Sequence, residues 1–245
     1  MAERKHVTVL PDAAALAAAA ADHVVAVLRE TLMRRDLAHL ALAGGSTPRA
    51  INALLIAEPR RASVDWSRVV FWFGDERCVP PNDPDSNYKM NRETLLAPLR
   101  IHTSQVHRMR GEDDPGAAAA DYDAVLQLQL GECPRLDLIL LGMGPDGHTA
   151  SLFPGTIGAI DKDKCCIAHY VPQLGKWRIT LTPRAINDAR NVAITAGGAE
   201  KADALHGVLD GPKQTDVYPA QLIHPHAGEL RWLVDAAAAA KLSSP

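Results

Sequence analysis

The sequence lacks any long uninterrupted run of apolar residues. Its alanine-rich beginning comes closest, but Asp12, Asp22, His23, Arg29 and Glu30 interrupt it. It therefore offers no span of about twenty apolar residues, the length that crosses a bilayer. The basic-then-apolar order and the cleavage site of a signal peptide are also missing. These absences predict no membrane contact and no targeting segment.

Cysteine is scarce, at four residues in 245. Cys78, Cys133, Cys165 and Cys166 show neither the C-x-x-C spacing of a zinc site nor the density of a disulfide framework. Such thiols are typical of a reducing compartment, which predicts a cytoplasmic location. We expect the adjacent Cys165 and Cys166 to occupy successive positions of a strand, with side chains on opposite faces.

Positive charge is not in excess. The 26 lysines and arginines stand against 29 aspartates and glutamates, for a formal net charge of -3. Because nucleic-acid-binding domains usually carry a basic surface, no nucleic-acid partner is expected. The composition is 47% hydrophobic and 22% charged, which is ordinary for a globular protein. A chain of this length can bury a substantial core as one domain.

What the sequence does contain is a regular alternation of strand-like and helix-like segments. Apolar patterning predicts strands at 38–43, 68–73, 136–141, 178–181 and 191–195. Capping residues and periodicity predict helices at 12–35, 46–57, 86–96, 115–130, 199–209 and 236–242. This order is typical of a largely parallel sheet covered by helices on both faces. No linker or repeat divides the chain, so residues 1–245 are expected to form a single three-layer α/β/α domain.

Residues 136–155 are the most informative segment. The apolar run Leu136–Leu141 is followed by a glycine-rich turn that contains Asp146 and His148. Open α/β sheets place their ligands beyond the carboxyl ends of such strands. Glycines let the backbone approach a ligand closely, and histidine can exchange protons near neutral pH. The pattern predicts an active-site loop in which Asp146 and His148 are catalytic.

Two further predicted strands end in residues suited to binding an anion. One is followed by a turn that opens a helix and consists of Gly44, Gly45, Ser46 and Thr47. A helix N-terminus presents backbone N–H groups to an anion. The other ends at Asp75 and Arg77, and a guanidinium binds phosphate in bidentate geometry. Alone, the glycine turn is equally compatible with an ordinary capped turn, and a charged triplet at a strand end is more often a solvated corner. Three such loops at strand ends of one sheet, however, predict a shared cleft.

Two later cations are candidates to join this cleft. Arg178 begins a predicted strand, and Lys201 follows Gly197 and Gly198 at a predicted helix start. Either side chain could reach a phosphate, although most lysines and arginines only solvate a surface. We include both as candidate substrate-binding residues.

Other hydrolytic chemistries fit the sequence less well. Ser46 and Ser151 lack the G-x-S-x-G elbow of a serine hydrolase. Asp146 and His148 form only part of a metal-ligand set, while His224 and His226 lie in an unrelated loop. General-base activation of water by His148, without a metal, is the favoured interpretation.

Several of these motifs, in this order, carry a family resemblance. The chain resembles the 6-phosphogluconolactonases, within the larger group that includes glucosamine-6-phosphate deaminase. The similarity spans nearly the whole chain. Its motifs are 43–48, 73–80, 86–88, 142–155, 178–182, 198–201, 219–222 and 232–235.

The resemblance implies a Rossmann-like α/β sandwich that hydrolyses 6-phosphoglucono-δ-lactone to 6-phosphogluconate in the oxidative pentose phosphate pathway. It implies that His148 is the base that activates water, and that Ser46, Thr47 and Arg77 surround the sugar phosphate. It further implies a small-molecule sugar-phosphate lactone as the binding partner, with no organic cofactor and no obligatory metal. A monomer or a small homo-oligomer is compatible with it.

Phe153 helps to separate the two activities of this larger group. The deaminase pattern has a glutamate at this position, associated with opening of the sugar ring and proton shuttling. A lactone already presents an electrophilic carbonyl and needs no ring opening, so Phe153 favours lactone hydrolysis. A deaminase-like isomerase and a sugar-phosphate-binding sensor without turnover remain as alternatives.

Overall fold

A computed structural model describes residues 6–132 and 134–243 of the chain. The strands are β1 (His6–Leu10), β2 (Ala38–Leu42), β3 (Val69–Phe73), β4 (Asp75–Arg77), β5 (Leu138–Gly142), β6 (Cys166–Val171), β7 (Lys176–Leu181), β8 (Asn191–Ala196) and β9 (Glu229–Asp235). The α-helices are α1 (Ala13–Arg34), α2 (Ser46–Leu55), α3 (Asn87–Asn91), α4 (Pro115–Leu130), α5 (Pro183–Asn187) and α6 (Ala202–Leu209).

Six strands form a parallel sheet in the order β1-β9-β8-β5-β2-β3. Hydrophobic clusters cover both of its faces, one containing residues of α1 and α2 and the other residues of α4 and α6. Successive side chains of a strand point to opposite faces. Accordingly, Leu40 and Leu42 of β2 join the first cluster, whereas Ala41 joins the second. The predicted three-layer α/β/α architecture with a mainly parallel sheet is confirmed.

A second sheet, in the order β4-β7-β6, is antiparallel and was not expected. Asp75 and Arg77 therefore do not simply end β3, because they form a short strand of their own. Gly74 connects the two sheets: its N–H donates to Leu42 O at 3.0 Å, and its carbonyl accepts from Leu181 N at 2.8 Å. This change of sheet makes Arg77 the cross-strand partner of Arg178.

Asp12 and Ser86 cap α1 and α3 as predicted, accepting from Ala15 N and Lys89 N respectively. The helix predicted at 86–96 continues from α3 as a π-helical turn over Arg92–Leu96. The prediction of a helix at 236–242 is wrong, because only a short 3-10 helix, Ala238–Lys241, forms there. The N–H of Ala236 still bonds to Leu10 O at 2.7 Å, so the start of this segment is tied to the sheet edge.

The prediction for the adjacent cysteines is also wrong in part. Strand β6 begins at Cys166, so Cys165 precedes it, and both residues are buried. Both backbone N–H groups donate to Oδ1 of the buried Asp123, at 2.6 and 3.0 Å. The carboxylate holds the chain at this turn, and both side chains enter one hydrophobic cluster. Cys133 lies outside the described residues.

Within the described part of the chain, no helix has both the length and the apolar character needed to cross a membrane.

Candidate active site

A cavity of about 390 Å³ lies at the carboxyl ends of β2, β5 and β8. Nine of the ten predicted site residues line it: Gly44, Gly45, Ser46, Thr47, Asp75, Arg77, His148, Arg178 and Lys201. Asp146 is not part of the lining and lies behind His148, in contact with its ring. The three predicted loops therefore meet in one cleft.

The turn after β5 is closed by its own hydrogen bonds. Gly144 N donates to His148 O at 2.9 Å, and Gly147 N donates to Gly144 O at 3.0 Å. Gly147 has a φ of +79°, a conformation that glycine adopts without steric cost. The Thr149 hydroxyl donates to Gly142 O at 2.8 Å. These contacts return the chain sharply to the end of β5 and place His148 in the cavity wall.

The His148 imidazole is paired with Asp146. Nδ1 of His148 lies 2.5 Å from Oδ1 of Asp146, which also accepts the His148 backbone N–H at 3.1 Å. Burial alone would raise the pKa of Asp146, but the hydrogen bond and the charge of His148 outweigh burial, so the pKa is lowered. An ionised carboxylate assigns the proton of the neutral ring to Nδ1, which leaves the Nε2 lone pair to accept a proton.

Gly144 lies directly against this imidazole. A Cβ added at Gly144 would be 2.1 Å from Cε1 and 2.2 Å from Nδ1 of His148. Any larger residue must therefore displace the ring. Glycine is required at this position because the His148 ring leaves no room for a Cβ atom.

Asp75 is held in the cavity wall by two side chains that were not among the predicted site residues. The Ser151 hydroxyl donates to Asp75 Oδ2 at 2.6 Å, and Asn87 Nδ2 lies 3.1 Å from Asp75 Oδ1. Asn87 also packs over Gly44, where an added Cβ would fall 1.7 Å from its Oδ1. Asn87 thus connects Asp75 with the turn that opens α2. Both residues belong to the family motifs, but only tertiary contacts reveal these roles.

His169 and Thr180 hold the backbone of Ser151 in place. Its carbonyl lies 2.7 Å from His169 Nε2, and its N–H donates to Thr180 Oγ1 at 3.2 Å. Burial lowers the pKa of His169, which keeps the ring neutral near pH 7. The neutral ring then donates its Nε2 proton to the carbonyl. The second sheet therefore supports the loop that carries His148.

Glu76 is a buried carboxylate that organises the start of α3. Its Oε1 accepts the backbone N–H groups of Arg77 and Asn87, at 2.8 and 2.7 Å. Its Oε2 accepts the N–H of Tyr88 and the hydroxyl of Ser86. Burial raises the pKa of Glu76, although the backbone hydrogen bonds oppose that effect. Glu76 points away from the cavity and fixes its neighbours Asp75 and Arg77.

Positive charge converges at one end of the cavity. Arg77 and Arg178 are directly opposite on β4 and β7, and burial followed by the charge of Arg77 lowers the pKa of Arg178. Like charges in directly opposite positions repel, so this arrangement favours an anion between them. Nearby, Gly45 adopts a φ of +109° and α2 begins at Ser46 without a side-chain cap. Its first-turn N–H groups are thus available to the same anion.

Lys201 adds a further cation to the cavity lining. It ends a short 3-10 helix, Ala199–Lys201, that leads into α6. Burial lowers the pKa of Lys201, whereas the charges of Glu200 and Asp235 act in the opposite direction. No three His, Cys, Asp or Glu side chains in the described ranges are grouped so as to hold a metal ion.

Comparison with known proteins identifies the family. The family model described as glucosamine-6-phosphate isomerases/6-phosphogluconolactonase matches residues 11–232. The chain belongs to this family. A 6-phosphogluconolactonase of Treponema pallidum is 41% identical over 212 residues, which cover 85% of each chain. One from a Nostoc species is 38% identical over 245 residues, covering 98% of this chain and 99% of the relative.

A solved structure extends this likeness to three dimensions. The 6-phosphogluconolactonase of Trypanosoma cruzi superposes with a TM-score of 0.86 at 30% identity, covering 99% of this chain and 98% of that one. Membership of the glucosamine-6-phosphate isomerase/6-phosphogluconolactonase family, which the motifs indicate, is thus confirmed. The match covers all three loops that line the cavity.

Proposed function

We propose that the protein hydrolyses 6-phosphoglucono-δ-lactone to 6-phosphogluconate, a reaction of the oxidative pentose phosphate pathway. One observation carries this proposal: a carboxylate-paired histidine and a pair of arginines line the same cavity. The relatives named 6-phosphogluconolactonase support it, because this chain aligns with them over most of their length. All of these residues come from a single chain, so the proposal requires no partner subunit.

The phosphate of the substrate binds at the two arginines and the start of α2. Arg77 and Arg178 neutralise its charge, while Ser46, Thr47 and the first N–H groups of α2 supply further donors. Asp75 accepts a hydrogen bond from a sugar hydroxyl, and Lys201 contacts the substrate from the side of α6. Binding energy at these remote groups orients the lactone carbonyl carbon, C1, toward His148.

His148 then carries the proton transfers. Its Nε2 takes a proton from water while the water oxygen forms a bond to C1, and Asp146 stabilises the resulting imidazolium. The electron pair of the C1 carbonyl moves to its oxygen, where backbone N–H groups of the glycine-rich loops are suited to stabilise the negative charge. As the tetrahedral intermediate collapses, the bond from C1 to the ring oxygen breaks. The imidazolium returns its proton to that oxygen, and the new carboxylic acid loses its proton to solvent to give 6-phosphogluconate.

The direct test is hydrolysis of freshly generated 6-phosphogluconolactone, with spontaneous opening subtracted. We expect clear acceleration over buffer. Binding without acceleration would instead support a sugar-phosphate sensor, and ammonia release from glucosamine 6-phosphate would support a deaminase. The stacked, buried Phe153 ring offers no carboxylate for ring opening, which favours the hydrolase.

Gly144→Ala should lower kcat about tenfold or more, because a 1 Å displacement of a catalytic group can cost about a hundredfold. The new methyl group would occupy the place of the His148 ring. KM should change little, since the anion-binding end is untouched. Gly158→Ala is the matched control, because Gly158 is exposed and lies outside the cavity lining, and apart from its chain neighbours nothing lies within 4 Å of its added Cβ. Equal kcat values for the two variants would contradict this role of Gly144.

Ser151→Ala should raise KM for the lactone by about threefold to tenfold, which corresponds to about 0.7–1.4 kcal/mol, the range of a typical intramolecular hydrogen bond. The change removes the donor 2.6 Å from Asp75 Oδ2 and frees that carboxylate to turn. Steady-state kinetics of Ser151→Ala, Asp75→Asn and the double variant form a thermodynamic cycle. Because the two residues act as a unit, the effects should be less than additive; strict additivity would rule out the link.

A cytoplasmic location is part of the proposal. It is supported by the free thiols of Cys78 and Cys166, which are typical of a reducing compartment.

A further inference from the structure

Phe153 lies face to face with the His148 imidazole. The ring centroids are 4.3 Å apart and the planes differ by 27°. Phe153 is only 8% exposed and lines the cavity beside His148. This contact is distinct from the edge contact that Asp146 makes at Nδ1.

The backbone around Phe153 is itself held in place. Its carbonyl accepts the hydroxyl of Thr156 at 2.8 Å and the N–H of Thr156 at 3.2 Å. Two residues further on, Gly155 N donates to Asp216 O at 2.9 Å. The phenyl ring is therefore presented from a rigid turn.

We propose that Phe153 is a positioning residue that fixes the plane of the His148 ring for proton transfer. This inference rests on the proposed role of His148 as the base. One hydrogen bond at Nδ1 sets the tautomer but still permits the ring to tilt about that bond. The face of Phe153 removes this freedom, so that Nε2 stays directed at the water bound next to C1.

The same contact gains strength when His148 becomes charged. The face of an aromatic ring carries partial negative charge and attracts a nearby cation. The imidazolium that forms as water attacks C1 is therefore stabilised from its face by Phe153 and from its edge by Asp146. An aliphatic side chain of similar volume fills the space but supplies neither the flat surface nor the quadrupole.

The test compares Phe153→Leu and Phe153→Met with the aromatic Phe153→Tyr. We expect the two aliphatic variants to lose about threefold to thirtyfold in kcat, the range of a cation–π contact, with KM within about twofold of the wild type. Phe153→Tyr should retain most of kcat. Tyr170→Leu is the control, because it removes a half-exposed aromatic ring from strand β6, where the ring makes an edge contact with Trp177 of β7.

A spectroscopic measurement tests whether the two rings are stacked in solution. The Cε1–H resonance of His148, assigned by its absence in His148→Gln, should carry a ring-current shift in the wild type and in Phe153→Tyr. The shift should disappear in Phe153→Leu and Phe153→Met and persist in Tyr170→Leu. Thermal unfolding of each variant checks that it is folded.

The outcomes are distinct. Loss of the ring-current shift with unchanged kcat in the folded aliphatic variants would overturn the proposal. A kcat as low in Phe153→Tyr as in Phe153→Leu, despite a retained shift, would overturn it as well. A wild-type protein that shows the Phe153-dependent shift but hydrolyses no lactone would contradict the proposed function while leaving the stacked geometry supported.

Discussion

Replacing His148 with alanine is expected to lower kcat for 6-phosphogluconolactone by about 10²–10⁴-fold, the usual contribution of a positioned general base. KM should remain close to that of the wild type, because the residues proposed to bind the phosphate lie on other loops. The lost Nε2 is the acceptor that the Asp146 contact leaves available in the neutral ring. Rates are measured on freshly generated lactone, with the spontaneous reaction subtracted.

His206→Ala provides the matched control. His206 also pairs with a carboxylate, with Nδ1 3.3 Å from Asp210 Oδ2, but it lies on α6 outside the cavity lining. Its removal should leave kcat unchanged. Partial recovery of the His148→Ala rate by added imidazole would identify the missing group as a base. An unchanged rate in His148→Ala would refute its role in the mechanism.

Arg77→Ala is expected to raise KM for the phosphorylated lactone by roughly 10- to 150-fold, which corresponds to about 1.5–3 kcal/mol for hydrogen bonds to a charged group. In the proposed binding mode, the guanidinium shares the phosphate with Arg178, its cross-strand partner. Its Nη1 also donates to Asp85 O at 2.5 Å, so it is held in place before substrate binds. Arg77→Lys should recover only part of the affinity, because lysine lacks the bidentate fork.

The substrate itself supplies the control for this experiment. Glucono-δ-lactone without a phosphate should be hydrolysed equally by the wild type and by Arg77→Ala, since the arginine then has no anion to bind. Arg178→Ala should likewise lose activity only on the phosphorylated lactone. Equal losses on both lactones would show that Arg77 acts on the fold or on the reacting carbon instead of the phosphate.

Strong local signals explain which parts of the fold were predictable. Helix α4 has the predicted bounds, Pro115–Leu130, because proline opens it and glycine follows it. Strand β3 is predicted to within one residue from its run of valine and aromatic residues. Strands β1 and β9 were missed because β1 is a short edge strand and β9 begins with Glu229 and includes Arg231. Polar residues in these two strands interrupt the apolar pattern by which a strand is recognised.

Some residues of the candidate site could also be predicted from local sequence signals, and others could not. Residues in glycine-rich turns after strands, such as Ser46 and His148, are recognisable because their neighbours show where the strand ends. Asn87, Ser151 and His169 act through partners that are 12 to 76 positions away in the chain. The spacing of residues along the sequence does not reveal contacts between such distant positions. The antiparallel pairing that sets Arg77 against Arg178 likewise appears only once the chain has changed sheets at Gly74.

That change of sheet has a consequence for substrate selection. His148 follows a strand of the main sheet, whereas Arg77 and Arg178 belong to the smaller one. In the proposed binding mode, the junction at Gly74 therefore helps to set the span between His148 and the two arginines. A substrate must bridge that span to engage both ends at once. We therefore expect discrimination by carbon-chain length to depend on how the two sheets are joined.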